Sequence, residues 1–189
     1  AAFDLKNVER VRIGVTGAAP NIIENSTFGI KMENSGAEVW NNEFDEINNN
    51  INSTFWADGS AILLMNDNNL LDRSLQVGLE GVNPSNTFTK AEFGIIGFGE
   101  CNYKIYNNRF GHASNGPGDA IENLCIGLIN TRVNSIDIDD HNLFYDYSQG
   151  IEIFDMNSGA SVSITNNDFF NARLTTGANF EGTAILVNS

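Results

Sequence analysis

The chain has 189 residues, 41% of them hydrophobic, which is enough for one folded domain, and a formal net charge of −14 from ten Lys and Arg against twenty-four Asp and Glu. No window gathers basic residues into the cationic stripe that displaces counterions from phosphates, so nucleic acid is excluded as a partner, and tight polyanion binding would need a bridging metal ion. No apolar run approaches the ~20 residues of a membrane helix, and the charged residues, at 18%, give way to Asn, Ser, Thr and Gly, a turn-rich β profile.

The chain opens at Ala1-Ala2-Phe3 with neither an initiator Met nor a signal peptide, which reads as a trimmed segment of a secreted protein. Val11, Ile13 and Val15 alternate like a strand, but residues 1–21 have no clean register. From residue 22 a short template recurs: an apolar residue, any residue, Asn or Asp, Asn, any residue, then Phe or Leu. Val39–Phe44, Ile105–Phe110 and Ile164–Phe169 fit it, and Ile23–Phe28 and Ile138–Leu143 are looser copies. A companion strand precedes each copy, at Gly29–Met32, Gly94–Ile96, Ile126–Leu128 and Gly150–Ile153, with Ala61–Leu64 and Ala184–Val187 as further members. Its steps from Ile30 through Ile62, Ile95, Leu128 and Ile151 to Ile185 are 32, 33, 33, 23 and 34 residues.

A period of this size, built of short strands and turn residues, is a coil that buries its apolar side only by stacking on neighbours. Alternation in Ser135–Asp139 and Ser161–Thr165 points Ile and Val inward and polar residues outward. The spacing predicts Val39, Ile105, Ile138 and Ile164 as one interior column and Phe44, Phe110, Leu143 and Phe169 as another. Asn42, Asn108, His141 and Asn167 are the expected corner column, where positive φ or a bond to the next coil suits these residues. Residues 66–90, with Asn83-Pro84-Ser85, and 111–124, with Gly116-Pro117-Gly118, interrupt the repeat and are expected to project as loops. Apolar residues on both faces of Ile62-Leu63-Leu64, Ile95-Ile96 and Leu128-Ile129 call for an outer cover, from those loops or from a partner domain.

Residues 22–189 resemble the right-handed parallel β-helix superfamily, the pectin-lyase-like folds with their carbohydrate-associated CASH-type repeats. The resemblance implies an all-β, right-handed parallel β-helix (solenoid) segment of about five to six coils, residues 1–189 forming one domain. It further implies a place outside the cell or on a bacterial-type cell surface. Exposed solenoid ends normally carry caps, so the expected partners are the remainder of a larger parent chain, or a partner subunit, at those ends.

The superfamily's hydrolases show Asn-Thr-Asp, Asp-Asp, Gly-His-Gly and Arg-Ile-Lys in that order. Here Asn130-Thr131-Arg132 replaces the first acid, Asp139-Asp140 matches the second motif, Gly111-His112-Ala113 comes too early, and no Arg-Ile-Lys follows. The superfamily's lyases place an acidic Ca²⁺ site beside a Lys or Arg that removes the proton α to a uronate carboxylate. Asp137, Asp139 and Asp140 with Lys104 or Arg132 are the candidates, and Asp137 and Asp139 are the metal-ligand candidates, calcium being the cofactor they would take. The competing reading makes Lys104 and Asp137 neighbours in register, available for a structural ion pair. Trp40 and Tyr106 share an outward column and could stack on sugar rings, with Trp56, Tyr145 and Tyr147 in reserve. Cys101 and Cys125 fit either a disulfide or two buried thiols. Three functions stay open: a non-catalytic adhesin or stalk segment that binds glycans, a lyase or hydrolase acting on an acidic polysaccharide, and a phage tail-fibre section.

Overall fold

The computed structural model describes residues 1–48, 55–67, 73–82, 84–111, 121–129, 134–172 and 182–188. Every regular element among them is a strand, and every pairing between strands is parallel. Three columns of strands result. The first holds β1 (Phe3–Lys6), β4 (Ile30–Glu33), β7 (Ser60–Met65), β10 (Ala91–Phe98), β13 (Ile121–Ile129), β16 (Gln149–Phe154) and β19 (Thr183–Asn188). The second holds β2 (Val11–Ile13), β5 (Ala37–Val39), β8 (Ser74–Val77), β11 (Asn102–Tyr106), β14 (Ser135–Asp139) and β17 (Ser161–Ile164). The third holds β3 (Asn21–Ser26), β6 (Asn42–Ile47), β9 (Asn86–Phe88), β12 (Asn108–Phe110), β15 (Leu143–Tyr145) and β18 (Asp168–Phe170), and one bridge from Ala91 to Ile47 links it to the first. Each strand therefore pairs with the third strand before and after it. This stacking in tiers is compatible with a solenoid.

The interior follows from period-two alternation in each column. Ile30, Ile62, Ile95, Ile126 and Ile151 line the first, and Val39, Val77, Ile105 and Ile138 the second, all fully buried. Phe44, Phe88, Phe110, Phe144 and Phe169 stack in the third with centroids 4.5–4.9 Å apart and ring planes within 7° of parallel. That spacing is the strand separation itself, so one ring per tier fills the corner without a gap. At Gly97 an added Cβ would fall 2.4 Å from the Tyr103 hydroxyl, so the glycine makes room for the fully buried Tyr103 ring.

A ladder of asparagines runs beside the phenylalanines. The side-chain amide of each donates to the carboxamide oxygen of the next, from Asn21 through Asn42, Asn86, Asn108 and Asn142 to Asn167, at 2.8–3.1 Å. From Asn42 onward each amide also donates to a main-chain carbonyl one tier back: Ile13, Val39, Val77, Ile105 and Ile138 in turn. The residue before the ladder asparagine makes the corner. Asn41, Asn107 and Asn166 have φ of 56°, 53° and 52°, the left-handed region that Asn tolerates better than other non-glycine residues. In β8's tier the residue before Asn86 is Ser85, stacked between Asn41 and Asn107 through main-chain bonds, and the positive φ falls earlier, at Gly78 (93°), whose Cβ direction is blocked by the Tyr106 carbonyl.

Several expectations need correction. Residues 138–144 carry one extra corner residue, since both Asp140 and His141 have positive φ. Asn142, not His141, therefore enters the ladder, and Phe144, not Leu143, enters the aromatic stack. Ile23, not Phe28, stands below Phe44, and residues 1–21, which show no clean register in the sequence, hold β1 and β2 of a full first tier that β3 completes at Ser26. Ile126, not Leu128, aligns with Ile95. Residues 66–90 are not one projecting loop, because β8 and β9 lie within them; of 111–124, residues 121–124 open β13, and 112–120 lie outside the described residues. Cys101 and Cys125 are separate buried thiols, burial pushing Cys101 up to about 12 and Cys125 upward as well.

The ladder predicts a graded mutational response. Asn108→Val breaks bonds to Asn86, Asn142 and Val77 in the buried interior and should cost about 2–3 kcal/mol, against about 1 kcal/mol for Asn167→Val at the half-buried end. Urea unfolding of both variants measures this; equal or negligible losses would contradict it.

Candidate functional site

The outward face of the second column carries the candidate acids. Its register runs Arg12, Glu38, Gln76, Lys104, Asp137, Ser163, so opposite charges face each other at both ends. Arg12 binds Glu38 through two nitrogens at 3.0 and 3.1 Å. Lys104 and Asp137 are direct neighbours in register, yet no ion pair joins them among the described residues; Asp137 instead accepts a 2.6 Å hydrogen bond from the Tyr106 hydroxyl. Burial first, then the bond to Asp137 and nearby carboxylates, pushes the Tyr106 phenol far upward, so it stays a donor at neutral pH.

Glu80, Tyr106, Asp137, Asp139, Asp140 and Asn166 together line a depression of about 210 Å³. Its three aspartates already accept hydrogen bonds from the protein. Asp139 accepts from the Asp140 N–H at 2.6 Å and from the Asn166 amide at 2.9 Å. Asp140 accepts from the Gly81 N–H at 2.8 Å and from the Asn107 amide. The Asp140 N–H foremost, then Thr165 and Asn166, holds Asp139 below the usual carboxylate range. A general acid for glycoside cleavage must hold its proton near neutral pH, and Asp139 is tuned the other way. Burial raises two carboxyls, Asp58 and Glu152, and neither lines this depression.

No protein-family model, curated protein or solved structure matches the chain. The chemistry therefore rests on side-chain placement. Among the described residues, no group of three or more His, Cys, Asp or Glu is placed to hold a metal ion. Asp137 and Asp139 do border one depression, as expected for a shared ligand set, but protein donors already meet an oxygen of each. His112 and Arg132 lie outside the described residues.

The aromatic candidates are also corrected. Trp40 is 7% exposed and lies under the Arg12 guanidinium, 4.8 Å from the ring centroid, so it offers no face to a ligand. Tyr106 is half-buried with its hydroxyl committed. Tyr147 is buried, and Tyr145 stacks on Phe170 at 4.9 Å. The aromatic left open is Trp56, 51% exposed, on the outward side of the first column. There Leu63 and Ile96 are fully buried in an outer cluster with Ala57, Phe93 and Leu124, so the cover expected over this face includes residues 55–59. With Phe55, Met65, Asn66, Asp67 and Phe98, Trp56 lines a cavity of about 310 Å³. The sequence signal was weak, because nothing in residues 55–59 repeats elsewhere in the chain.

The depressed Asp139 fixes a pH signature. A carboxylate with a lowered folded pKa contributes stability that is fully present above its unfolded value, ~3.9, and lost as pH falls through the folded one. The melting-temperature gap between the native chain and Asp139→Asn should therefore be widest at neutral pH and shrink as pH falls below ~3.9. A gap unchanged down to about pH 2 would contradict the assignment.

Proposed function

We propose that the chain is a right-handed parallel β-helix segment of a secreted or cell-surface protein, non-catalytic and suited to displaying a glycan-binding surface. Right-handedness follows the strong rule for crossovers between parallel strands, and the tier-by-tier pairing of three strand columns supports a β-helix like that of the pectin-lyase-like superfamily.

One observation carries the non-catalytic reading: Asp137, Asp139 and Asp140 each serve as acceptors for donors of neighbouring tiers or of their own turn. Active-site acids are usually pushed toward the pKa their chemistry needs, whereas Asp139 is pushed away from it. The acids read as corner fasteners. The second reading is a polysaccharide lyase, favoured by the register neighbours Lys104 and Asp137. In that reading Lys104 would take the proton α to a uronate carboxylate while the acids hold Ca²⁺ against it.

Unsaturated-product absorbance on polygalacturonate and alginate, with and without Ca²⁺, separates the two. The native chain should give no product, and Asp139→Asn should lower the melting temperature. Product formation lost in both Asp139→Asn and Lys104→Ala would replace the display reading with the lyase one.

A further inference from the structure

We propose that the cavity at Trp56 is a binding site for one ring of a neutral glycan; the inference rests on the glycan-display reading above and gives it a place and a ligand class. The indole is held in position. The Asp58 N–H donates to the Phe55 carbonyl at 3.1 Å, the Ser60 hydroxyl to the Ala57 carbonyl at 2.6 Å, and the Gly59 N–H to the Thr27 carbonyl at 2.9 Å. The Gly59 carbonyl in turn accepts from the Phe93 N–H at 3.2 Å, which ties this turn to β10. Phe93 and Phe98 stand nearly perpendicular to the indole, at 85° and 83°, with centroids 5.9 and 5.3 Å away. Neither stacks over it, Phe55 stands tilted at 35° with its centroid 6.4 Å away, and Trp56 remains 51% exposed. Rigid, half-exposed indoles supply contact area at little entropic cost.

The rim provides the polar half of the site. The Asp67 carboxylate accepts from the Asn34 amide at 2.9 Å through Oδ2, and the Asp67 N–H donates back to the Asn34 carboxamide oxygen at 2.8 Å. This reciprocal pair fixes the carboxylate and leaves Oδ1 as an acceptor. A sugar ring presents an apolar C–H face on one side and hydroxyl donors at its edge, matching an indole beside a fixed acceptor. The volume, about 310 Å³, is at the small end of ligand pockets and suits a single ring. Charge sets the class. Among the described residues no Lys or Arg lines the cavity, Asp67 borders it, and the chain carries −14 overall, so uronates and sulfated sugars are repelled. Phe55 and Phe98 also line the cavity, one tilted and one edge-on to the indole, so a cation is the competing ligand class, and choline tests it directly.

Trp40 and Trp56 are the chain's two tryptophans, one buried and one open, so fluorescence distinguishes them. The test titrates the full chain with cellohexaose, xylohexaose and mannohexaose, with trigalacturonate and choline as charged controls, and repeats it on Trp40→Phe, Trp56→Phe and Trp56→Ala. At least one neutral hexasaccharide should bind and shield Trp56 from acrylamide in Trp40→Phe. Trp56→Ala should weaken binding at least tenfold while the chain keeps a cooperative, modestly lowered melting transition, and Trp56→Phe should fall between on binding with a melting temperature close to native. Undiminished binding by Trp56→Ala would overturn this site while leaving glycan display intact at another place. Tighter binding of trigalacturonate or choline would overturn the ligand class. Native chain that binds no neutral sugar would overturn the site, and binding of no sugar at all would overturn glycan display with it.

Discussion

A carboxamide buried beside an apolar stack has to find partners for its hydrogens and its oxygen, and here each finds them in the neighbouring tiers. Unpaired, such a group would cost on the order of 1–3 kcal/mol; paired, it ties three strands at once. The ladder from Asn21 to Asn167 thus does two jobs. It satisfies main-chain carbonyls where the second column ends, and it sets register, because a one-residue slip would turn every asparagine away from its neighbour. From Asn42 onward the phenylalanine two residues on is then delivered to the same place in each tier, and the rings stack at strand spacing. At Asn42, Asn108, Asn142 and Asn167 a left-handed residue immediately before the ladder turns the chain for both.

The outside of the stack is organised by the same tier-to-tier logic with different chemistry. On the second column it is ionic and polar: Arg12 on Glu38, Tyr106 on Asp137, Asn107 on Asp140 and Asn166 on Asp139. The aspartates of the acidic corner, Asp137, Asp139 and Asp140, are thereby engaged in tier-to-tier bonds. On the first column the outward face is apolar in the middle tiers, and the turn at residues 55–59 folds over Leu63 and Ile96. That cover includes the exposed Trp56 indole, which Phe93 and Phe98 meet edge-on, and the proposed glycan site lies there rather than at the acidic corner.

Much of this was legible in the sequence because the repeat is chemical as well as periodic. Val39, Ile105, Ile138 and Ile164 fall in one inward column as their alternation requires. The errors arose where spacing was trusted over residue type. Read as Asn, any residue, Phe, the motif lands on Asn42–Phe44, Asn86–Phe88, Asn108–Phe110, Asn142–Phe144 and Asn167–Phe169 without exception. The longer template forced His141 and Leu143 into places that Asn142 and Phe144 hold, and it missed Asn86 because residues 79–85 separate that residue from Val77. Trp40 and Trp56 show a different limit. Both precede or follow turns, but which one is covered depends on Arg12, 28 positions away, and on perpendicular packing against Phe93 and Phe98, contacts that no local pattern encodes.

The ladder is open to direct observation through its own protons. In ¹H–¹⁵N spectra recorded after transfer to D₂O, the side-chain amide protons of Asn42, Asn86, Asn108 and Asn142 should persist for hours, while those of exposed Asn7 and Asn25 vanish at once. The four protected amides should also show cross-peaks to their neighbours in the ladder. Rapid exchange of all asparagine side chains, or protected amides with no contact between Asn86 and Asn108, would contradict the account.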